Sequence, residues 1–280
     1  MRLFLVLLLG FFTTLAAQAE ERIVDLRDGS VMGFEELVTQ IAARDFILLG
    51  EVHDNLHHHE RRGELLAALK PLSPVLVAEH LEIGKTFASS SNLQQDLEAA
   101  GFSAKGWRWP LHQPLFESAV QNGVPLIGGN IPRETARDVV RKGLDVLPAD
   151  LQTLITKAPL DADAQKTLDD SLIQGHCGHM SEAMLPGMRL AQRARDAAMF
   201  SALRDADLRP AILVAGNGHV RKDYGIPSLI RQHLPDAKYV SIGFIEDTPE
   251  INIGQELRDQ YDYVWITEPA QRDDPCKMMK

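Results

Sequence analysis

The sequence predicts an α/β fold with a mainly parallel sheet flanked by helices and a smaller all-helical subdomain. Apolar runs without alternation occur at 46–49, 74–79, 124–128 and 211–216, which is typical of strands buried on both faces. Helical patterns separate these runs, as the crossover connections of parallel strands require. Residues 134–205 show helical periodicity but no strand signal, and they supply the predicted helical subdomain.

The first 19 residues have the features of a secretory signal peptide. Arg2 precedes an apolar run over 3–15, and Ala17-Gln18-Ala19 forms an Ala-x-Ala cleavage site. The run is too short to span a membrane comfortably, and no Cys lies near the cleavage site. We therefore expect a periplasmic protein without a lipid anchor; an uncleaved anchor or a buried N-terminal helix is the alternative. The predicted organisation is a signal peptide over 1–19, an α/β sheet domain over 20–135 and 206–270, a helical subdomain over 136–205 and a polar tail over 271–280.

The composition is that of a globular protein, with a formal net charge of −10. An acidic chain is a poor partner for the phosphates of nucleic acid or for an anionic membrane surface, so we expect neither. The two cysteines, Cys177 and Cys276, could form one disulfide in an exported protein, although their spacing neither supports nor excludes it.

The remaining elements follow from local patterns. Residues 23–31 read as a strand or hairpin with a turn at Asp28-Gly29, and 34–43 as an amphipathic helix. After the first apolar run, Asp54 or Asn55 offers an N-cap for a helix. Further helices are predicted at 84–100, at 113–122 and from Pro132-Arg133 onwards, and two last strands at 239–245 and 261–267, at an edge of the sheet.

Two Gly-x-x-His motifs follow predicted buried strands, as Gly50-Glu51-Val52-His53 and Gly216-Asn217-Gly218-His219. Open α/β sheets place their sites at the carboxyl ends of strands, so we expect these motifs to lie together. Glu79 and His80 end another strand in the same way. The candidate pocket residues are Gly50, Asn130, Gly216 and Arg221.

Glu51 and His53 could bind a metal, or act as a general base and its orienting partner. The structural alternative is that Glu51 caps a helix or pairs with an arginine, and that His53 hydrogen-bonds in the floor of the sheet. His57, His58 and His59 follow on a helix, where at least two of three consecutive side chains should face solvent. We expect surface histidines there, with His57 as the best second candidate for a functional role.

A second cluster lies at 174–180 and includes His176, Cys177, His179 and Met180. Imidazole, thiolate and thioether suit iron, copper or zinc, and the flanking glycines would let a flat ligand approach the backbone. The next helix carries Met184 and Met188, a pattern that indicates either core packing or the wall of an apolar ligand site. Motifs for nucleotide binding and the Gly-x-Ser-x-Gly nucleophile elbow are absent.

At these residues the sequence resembles the ChaN family of haem-binding uptake proteins, within a wider set that includes erythromycin esterases and TraB/Tiki proteins. The matching blocks lie in the family's order between 47 and 227. They read ILLGEVHDNLHHHE, VLVAEHLE, HQPLFESAVQNGVPLIGGNIPRE, HCGHMSEAMLPGMRLAQRARDAAM and LVAGNGHVRKDYGIP. The combined match is specific, whereas a single Gly-x-x-His motif is not.

The resemblance implies a sheet domain with a smaller helical domain, and haem binding in iron acquisition with haems stacked between two subunits. It also implies a tyrosine as haem ligand, and at this position the chain departs from the family pattern. The family's Tyr-x-Pro-Leu reads His112-Gln113-Pro114-Leu115, so His112 replaces that tyrosine. Many family members carry a lipid anchor, for which this chain has no site.

We predict from these observations a periplasmic haem carrier or store. The residue types required are an iron ligand, an apolar slot and cations for the propionates. The candidates are His112, His176 or His179 for iron, Met180, Met184, Met188 and Trp109 for the slot, and Arg133, Arg189 or Arg193 for the propionates. Haem should be exchangeable because no Cys-x-x-Cys-His occurs. The expected partners are haem, a second copy of the chain, in a dimer that could depend on haem, and outer-membrane or periplasmic haem transport components.

The alternative function is hydrolysis, metal-dependent in some branches of the wider set. Glu51, His53, Glu79 and His219 would form the centre. Either histidine could act as general base toward water, directly or through a bound divalent metal. We favour a binding protein over an enzyme.

Overall fold

A computed structural model describes residues 21–85, 87–249, 251, 253–274 and 276–277. The predicted signal peptide lies outside the described residues. Eight strands form one sheet in the order β2-β1-β8-β7-β3-β6-β4-β5. They are β1 (Arg22–Asp25), β2 (Val31–Met32), β3 (Phe46–Leu49), β4 (Val75–Glu82), β5 (Leu126–Asn130), β6 (Ala211–Val214), β7 (Tyr239–Glu246) and β8 (Tyr263–Thr267). All pairs from β8 to β5 are parallel, and the β1–β2 hairpin joins β8 antiparallel, which confirms the predicted fold class.

Helices cover both faces of this sheet. They are α1 (Phe34–Ile41), α2 (Leu56–Leu69), α3 (Leu93–Ala99), α4 (Gln113–Gln121), α5 (Arg133–Lys142), α6 (Ala149–Lys157), α7 (Ala162–Gly175), α8 (Leu185–Asp205), α9 (Asn217–Val220), α10 (Ile226–His233) and α11 (Gln255–Gln260). None of the described helices is long and apolar enough to cross a bilayer.

Two apolar cores lie on opposite faces of the sheet. Phe46 and Leu48 of β3 belong to one core, and the alternate residues Ile47 and Leu49 belong to the other. Such alternation explains why the strand is apolar throughout, since both of its faces are buried. The first core contains α5, α6, α8 and α10, and the second contains α1 to α4.

Helix α8 is central to the position of the site. Ala194, Ala197 and Ala198 are buried in the same core as the sheet strands, and these small side chains let the helix lie close to the sheet. The stretch predicted as a helical subdomain therefore contributes its last helix to the sheet's own core. The boundaries proposed for that subdomain stay a prediction.

Two local predictions were wrong. Of the described part of 84–100, only 93–99 is helical, because the Asn92 side chain caps the helix by accepting a hydrogen bond from the backbone N–H of Gln95. Strands β7 and β8 are interior strands, not edge strands. The β1–β2 hairpin covers β8, so the edges of the described sheet are β2 and β5.

Candidate functional site

The carboxyl ends of three neighbouring strands bring the predicted polar residues together. Glu51 and His53 follow β3, Glu79 and His80 lie toward the end of β4, and His219 lies in α9 after β6. Strands β3 and β4 both pair with β6 in parallel, so these ends share one edge of the sheet. The two Gly-x-x-His motifs therefore contribute to one site.

The Glu51 carboxylate is the centre of a buried polar cluster and is only 2 % exposed. Its Oε1 accepts hydrogen bonds from Nδ1 of His53 at 2.5 Å and from Nε2 of His80 at 3.0 Å. Its Oε2 lies 3.2 Å from Nδ1 of His59 and contacts the guanidinium of Arg62. One carboxylate thus faces three imidazoles and a buried arginine.

His112 completes this cluster from the N-terminus of α4. Its Nε2 lies 3.7 Å from Oε1 of Glu51, and its ring packs against those of His59, His80 and Trp107. Neither ring nitrogen of His112 has a hydrogen-bond partner among the described residues, and Nδ1 of His80 has none either.

A second buried group surrounds His219. Its Nδ1 lies 2.6 Å from Oδ1 of Asp196 on α8, and its Nε2 lies 3.4 Å from Oε1 of Glu79. Oε2 of Glu79 accepts a 2.7 Å hydrogen bond from the backbone N–H of Gly216. Burial alone would lower the pKa of His219, but the carboxylates of Glu79 and Asp196 raise that pKa to about 10. Burial would raise the pKa of Glu79, but His219 lowers it well below its usual value.

The buried imidazoles of α2, β4 and α4 behave differently, because burial dominates their ionisation. Burial lowers the pKa of His58 to about 3 and that of His59 to about 4, and it lowers the pKa values of His80 and His112 strongly. Burial also lowers the pKa of Arg62, to about 9. At pH 7 these four rings are neutral, and Arg62 keeps its charge.

Helix α2 shows why the run of histidines was misjudged. Asn55 caps the helix, as predicted, by accepting the backbone N–H of His57 and His58. His57 is partly exposed, but His58 and His59 are both buried, so the expectation that two of the three face solvent was wrong. The helix packs against α4 in the core on that face of the sheet, where each buried ring has a polar partner. Nδ1 of His58 accepts the backbone N–H of Val52, and Nε2 of His59 donates to the carbonyl of His53. Nε2 of His58 has no hydrogen-bond partner among the described residues.

A cavity of about 410 Å³ opens beside the cluster. His80 and Trp107 line it together with Arg133 and Arg195. Arg195 donates to the side chain of Asn130, which in turn donates to the carbonyl of Glu79. The predicted pocket residue Asn130 is therefore part of this wall.

Glycines give the site its close packing. A Cβ on Gly50 would lie 2.1 Å from Oδ1 of Asn217, and one on Gly216 would lie 2.8 Å from Nε2 of His53. The predicted pocket residue Arg221 lies elsewhere: it pairs with Asp223 and lines a separate cavity.

The second sequence cluster forms an exposed turn between α7 and α8. His176 and His179 are exposed, and Cys177 forms a disulfide with Cys276 across a Cα–Cα distance of 5.4 Å. Met184 is 51 % exposed. The predicted haem residues thus fall into two groups. His112 and Arg133 lie at the strand ends or the cavity, with Trp109 nearby against the ring of Phe102, and the others lie along α7, α8 and their connecting turn. Along α8, Arg189 pairs with Asp169, and Arg193 is buried with hydrogen bonds to the carbonyls of Tyr224 and Ala158.

Sequence reasoning missed Arg62, Asp196 and the burial of His59. Asp196 lies inside the alanine-rich stretch of α8, and Arg62 precedes the buried leucines of α2. A charged residue on an apolar helix face was the available signal for both, since burial of a charge requires a partner.

A family model described as "Haem-binding uptake, Tiki superfamily, ChaN" matches residues 37–230. No curated protein matches the chain. Among solved structures, that of cofacial haem binding to ChaN of Campylobacter jejuni is similar with a TM-score of 0.71 at 20% identity, covering 89% of this chain and 97% of that chain. An open form of an erythromycin esterase variant, EreC, has a TM-score of 0.48 at 12% identity, covering 92% of this chain and 99% of that chain. The type III effector HopBA1 has a TM-score of 0.47 at 16% identity, covering 91% of this chain and 100% of that chain.

Proposed function

The chain belongs to the ChaN family of haem-binding uptake proteins in the Tiki superfamily, and we propose that it binds haem as a carrier or store in haem iron uptake. Haem requires an imidazole or similar iron ligand that it can reach, next to apolar surface. The chain offers imidazoles at the strand ends and at the α7–α8 turn. The greater exposure of the imidazoles at the α7–α8 turn supports the second place.

We assign haem to the α7–α8 face, which consists of Ile173, His176, His179, Met180 and Met184. The observation that supports this assignment is the exposure of two imidazoles beside exposed apolar side chains, Ile173 at 36 % and Met184 at 51 %. Nδ1 of His176 donates to the carbonyl of Leu172, so its Nε2 faces outward as the candidate iron ligand. In this proposal the two exposed apolar side chains contact the macrocycle.

The strand-end imidazoles are poorer haem ligands. His112, which replaces the tyrosine of the family pattern, is fully buried, and so are His59 and His80. A planar macrocycle would have to displace Trp107, whose ring covers His80 at 4.5 Å between centroids. In this proposal His112 does not bind haem iron.

We further propose that two copies of the chain meet through the α7–α8 face. A haem lying on this exposed face leaves its second side open to water, and a second haem-bearing copy would cover it. The similar solved structure is of cofacial haem binding to ChaN of Campylobacter jejuni. That arrangement is what we expect for this chain.

The proposed compartment is the periplasm, where haem transport components would be the partners. Two observations support export: the signal-like N-terminus and the disulfide between Cys177 and Cys276, since disulfides persist in oxidising compartments.

Haem titration of the full chain tests the proposed function. We expect saturable binding with a defined Soret band and a shift from monomer to dimer in size exclusion. Weak adsorption that does not saturate would contradict haem binding, and a monomeric haem complex would contradict the dimer.

A second candidate function is hydrolysis at the strand ends. The observation that favours it is the convergence of Glu51, His53, Glu79 and His219 beside a cavity. Imidazole and carboxylate pairs of this kind perform general acid–base chemistry on water. Combining His53→Ala with His219→Ala should abolish hydrolysis of a chromogenic ester while haem binding persists. Absence of turnover by the wild-type protein over a panel of esters and amides would remove this candidate.

A further inference from the structure

We propose that Glu51, His53, His80 and His112 bind one divalent transition-metal ion, at a site separate from haem. One ligand atom from each residue lies within 4.8 Å of all the others. Three imidazole nitrogens and one carboxylate oxygen form a donor set that zinc and iron accept readily, and magnesium and calcium do not.

The distances from Glu51 lie on both sides of those expected around a four-coordinate ion. Bonds of about 2.0–2.1 Å in a tetrahedron place the ligand atoms roughly 3.3 Å apart. From Oε1 of Glu51, the nitrogens of His53, His80 and His112 lie at 2.5, 3.0 and 3.7 Å. Small side-chain shifts that lengthen the first two distances and shorten the third would bring all three to the required value.

Unpartnered nitrogens are the second observation that points to a ligand. His112 is completely buried, yet neither of its ring nitrogens has a hydrogen-bond partner among the described residues. A buried polar atom without a partner costs about 1–3 kcal/mol, so such atoms are rare in folded proteins. A metal ion bound by Nε2 of His112 would supply the missing partner.

The remaining strand-end groups pair with one another and with the backbone, away from the Glu51 cluster, so we leave them out of the proposed donor set. Glu79 accepts the backbone N–H of Gly216 and contacts His219, whose other nitrogen binds Asp196. The ion therefore belongs on the Glu51 side of the site. This differs from the set of Glu51, His53, Glu79 and His219 that the sequence suggested.

The surroundings of Glu51 orient it for this role. Arg62 and His59 contact Oε2 and leave Oε1 facing the three imidazoles. Outer contacts that fix a ligating carboxylate are a common feature of metal sites. His53, with 44 % of its side chain exposed, lies at the open side and gives the ion a route of entry.

Zn²⁺ titration of the haem-free full chain tests this site. The two exposed imidazoles of the α7–α8 face are removed by His176→Ala and His179→Ala, so that they do not contribute. In that background we expect one Zn²⁺ per chain, and a loss of affinity of roughly 100-fold or more on His80→Gln or His112→Gln. The matched control is His57→Gln on α2, which should bind Zn²⁺ as the background protein does. Equal affinity in all three variants, or no Zn²⁺ bound by the folded background protein, would overturn the proposal.

Co²⁺ provides a readout that does not depend on the variants folding. The unmutated strand-end cluster should give Co²⁺ the intense visible absorption of a tetrahedral N/O site. The weak spectrum of a hydrated octahedral ion would overturn the proposed donor set. Because both measurements use haem-free protein, their failure leaves the haem proposal standing.

Discussion

His112 is fully buried, with its Nε2 3.7 Å from Oε1 of Glu51. This relationship separates two sets of histidines that the sequence could not tell apart. The strand-end set surrounds a carboxylate inside the protein, and the set formed by His176 and His179 lies on the surface. The two proposals rest on this separation: a metal ion at the strand ends, and haem on the α7–α8 face.

The first prediction concerns His112→Gln in the haem-bound protein. Because the buried ring cannot reach an iron on the surface, the Soret maximum should stay where it is in the wild type. Absorbance spectra of the two proteins at equal haem loading give the comparison. A shifted maximum in the variant would make His112 an iron ligand and would contradict the assignment of haem to the α7–α8 face.

The second prediction concerns Gly50→Ala. A Cβ there would lie 2.1 Å from Oδ1 of Asn217, whose side chain is held by two hydrogen bonds to the backbone of Phe244. Asn217 cannot move away from the added methyl group without breaking these hydrogen bonds. We therefore expect a loss of about 1–3 kcal/mol in the free energy of unfolding, measured in urea.

Gly218→Ala is the matched control, in the second Gly-x-x-His motif. Its Cβ would meet no atom closer than 3.5 Å, and Ala is favoured over Gly in a helix. Its free energy of unfolding should lie within about 1 kcal/mol of the wild type. If Gly50→Ala were as stable as this control, the close approach of Asn217 to Gly50 would be incorrect.

The third prediction is a pH dependence that originates at His219. The pKa is about 10 in the folded protein, raised by Glu79 and Asp196, and 6.5 for the free side chain. The contribution of the protonated His219 side chain to the stability of the fold is therefore complete below pH 6.5 and is lost as the pH rises toward 10. One proton changes the free energy of unfolding by up to about 1.4 kcal/mol per pH unit over that range.

His219→Gln isolates this contribution. Urea unfolding of wild type and variant at pH 6, 8 and 10 should show their difference in stability shrinking as the pH rises. Parallel curves would mean that His219 does not hold an extra proton in the folded state.

The fourth prediction concerns the Cys177–Cys276 disulfide, which joins residues 99 apart in sequence. Closing so long a loop restricts the unfolded chain, so its loss should cost about 2–4 kcal/mol. Cys177→Ser, Cys276→Ser and the double variant should lose the same amount, because each breaks the same bond. Two free thiols in the denatured, non-reduced wild type would show that the bond does not form.

Local sequence patterns were sufficient to predict the buried strands and the convergence of the two Gly-x-x-His motifs at one edge of the sheet. The apolar residues of β3 indicate a strand buried on both faces, and parallel strands bring Gly50 and Gly216 to one edge. The same patterns did not predict the position of β8 in the sheet, because its apolar sequence does not reveal that the β1–β2 hairpin pairs with it.

The identity of the polar partners could not be read from local patterns. His59 and Arg62 face Glu51 from the helix that directly follows it, and Asp196 on α8 faces His219 after β6. Helical periodicity places a side chain on a helix face but does not say which group it meets there. For that reason the sequence could not distinguish a buried His112 from an exposed haem ligand.

Haem titration of the His176→Ala/His179→Ala variant, beside His57→Ala as control, tests the central claim most directly. We predict that the double variant loses the saturable Soret band while its unfolding curve stays that of the wild type, and that His57→Ala binds haem normally. Undiminished haem binding by the double variant would contradict the account and would return the haem ligand to the strand ends.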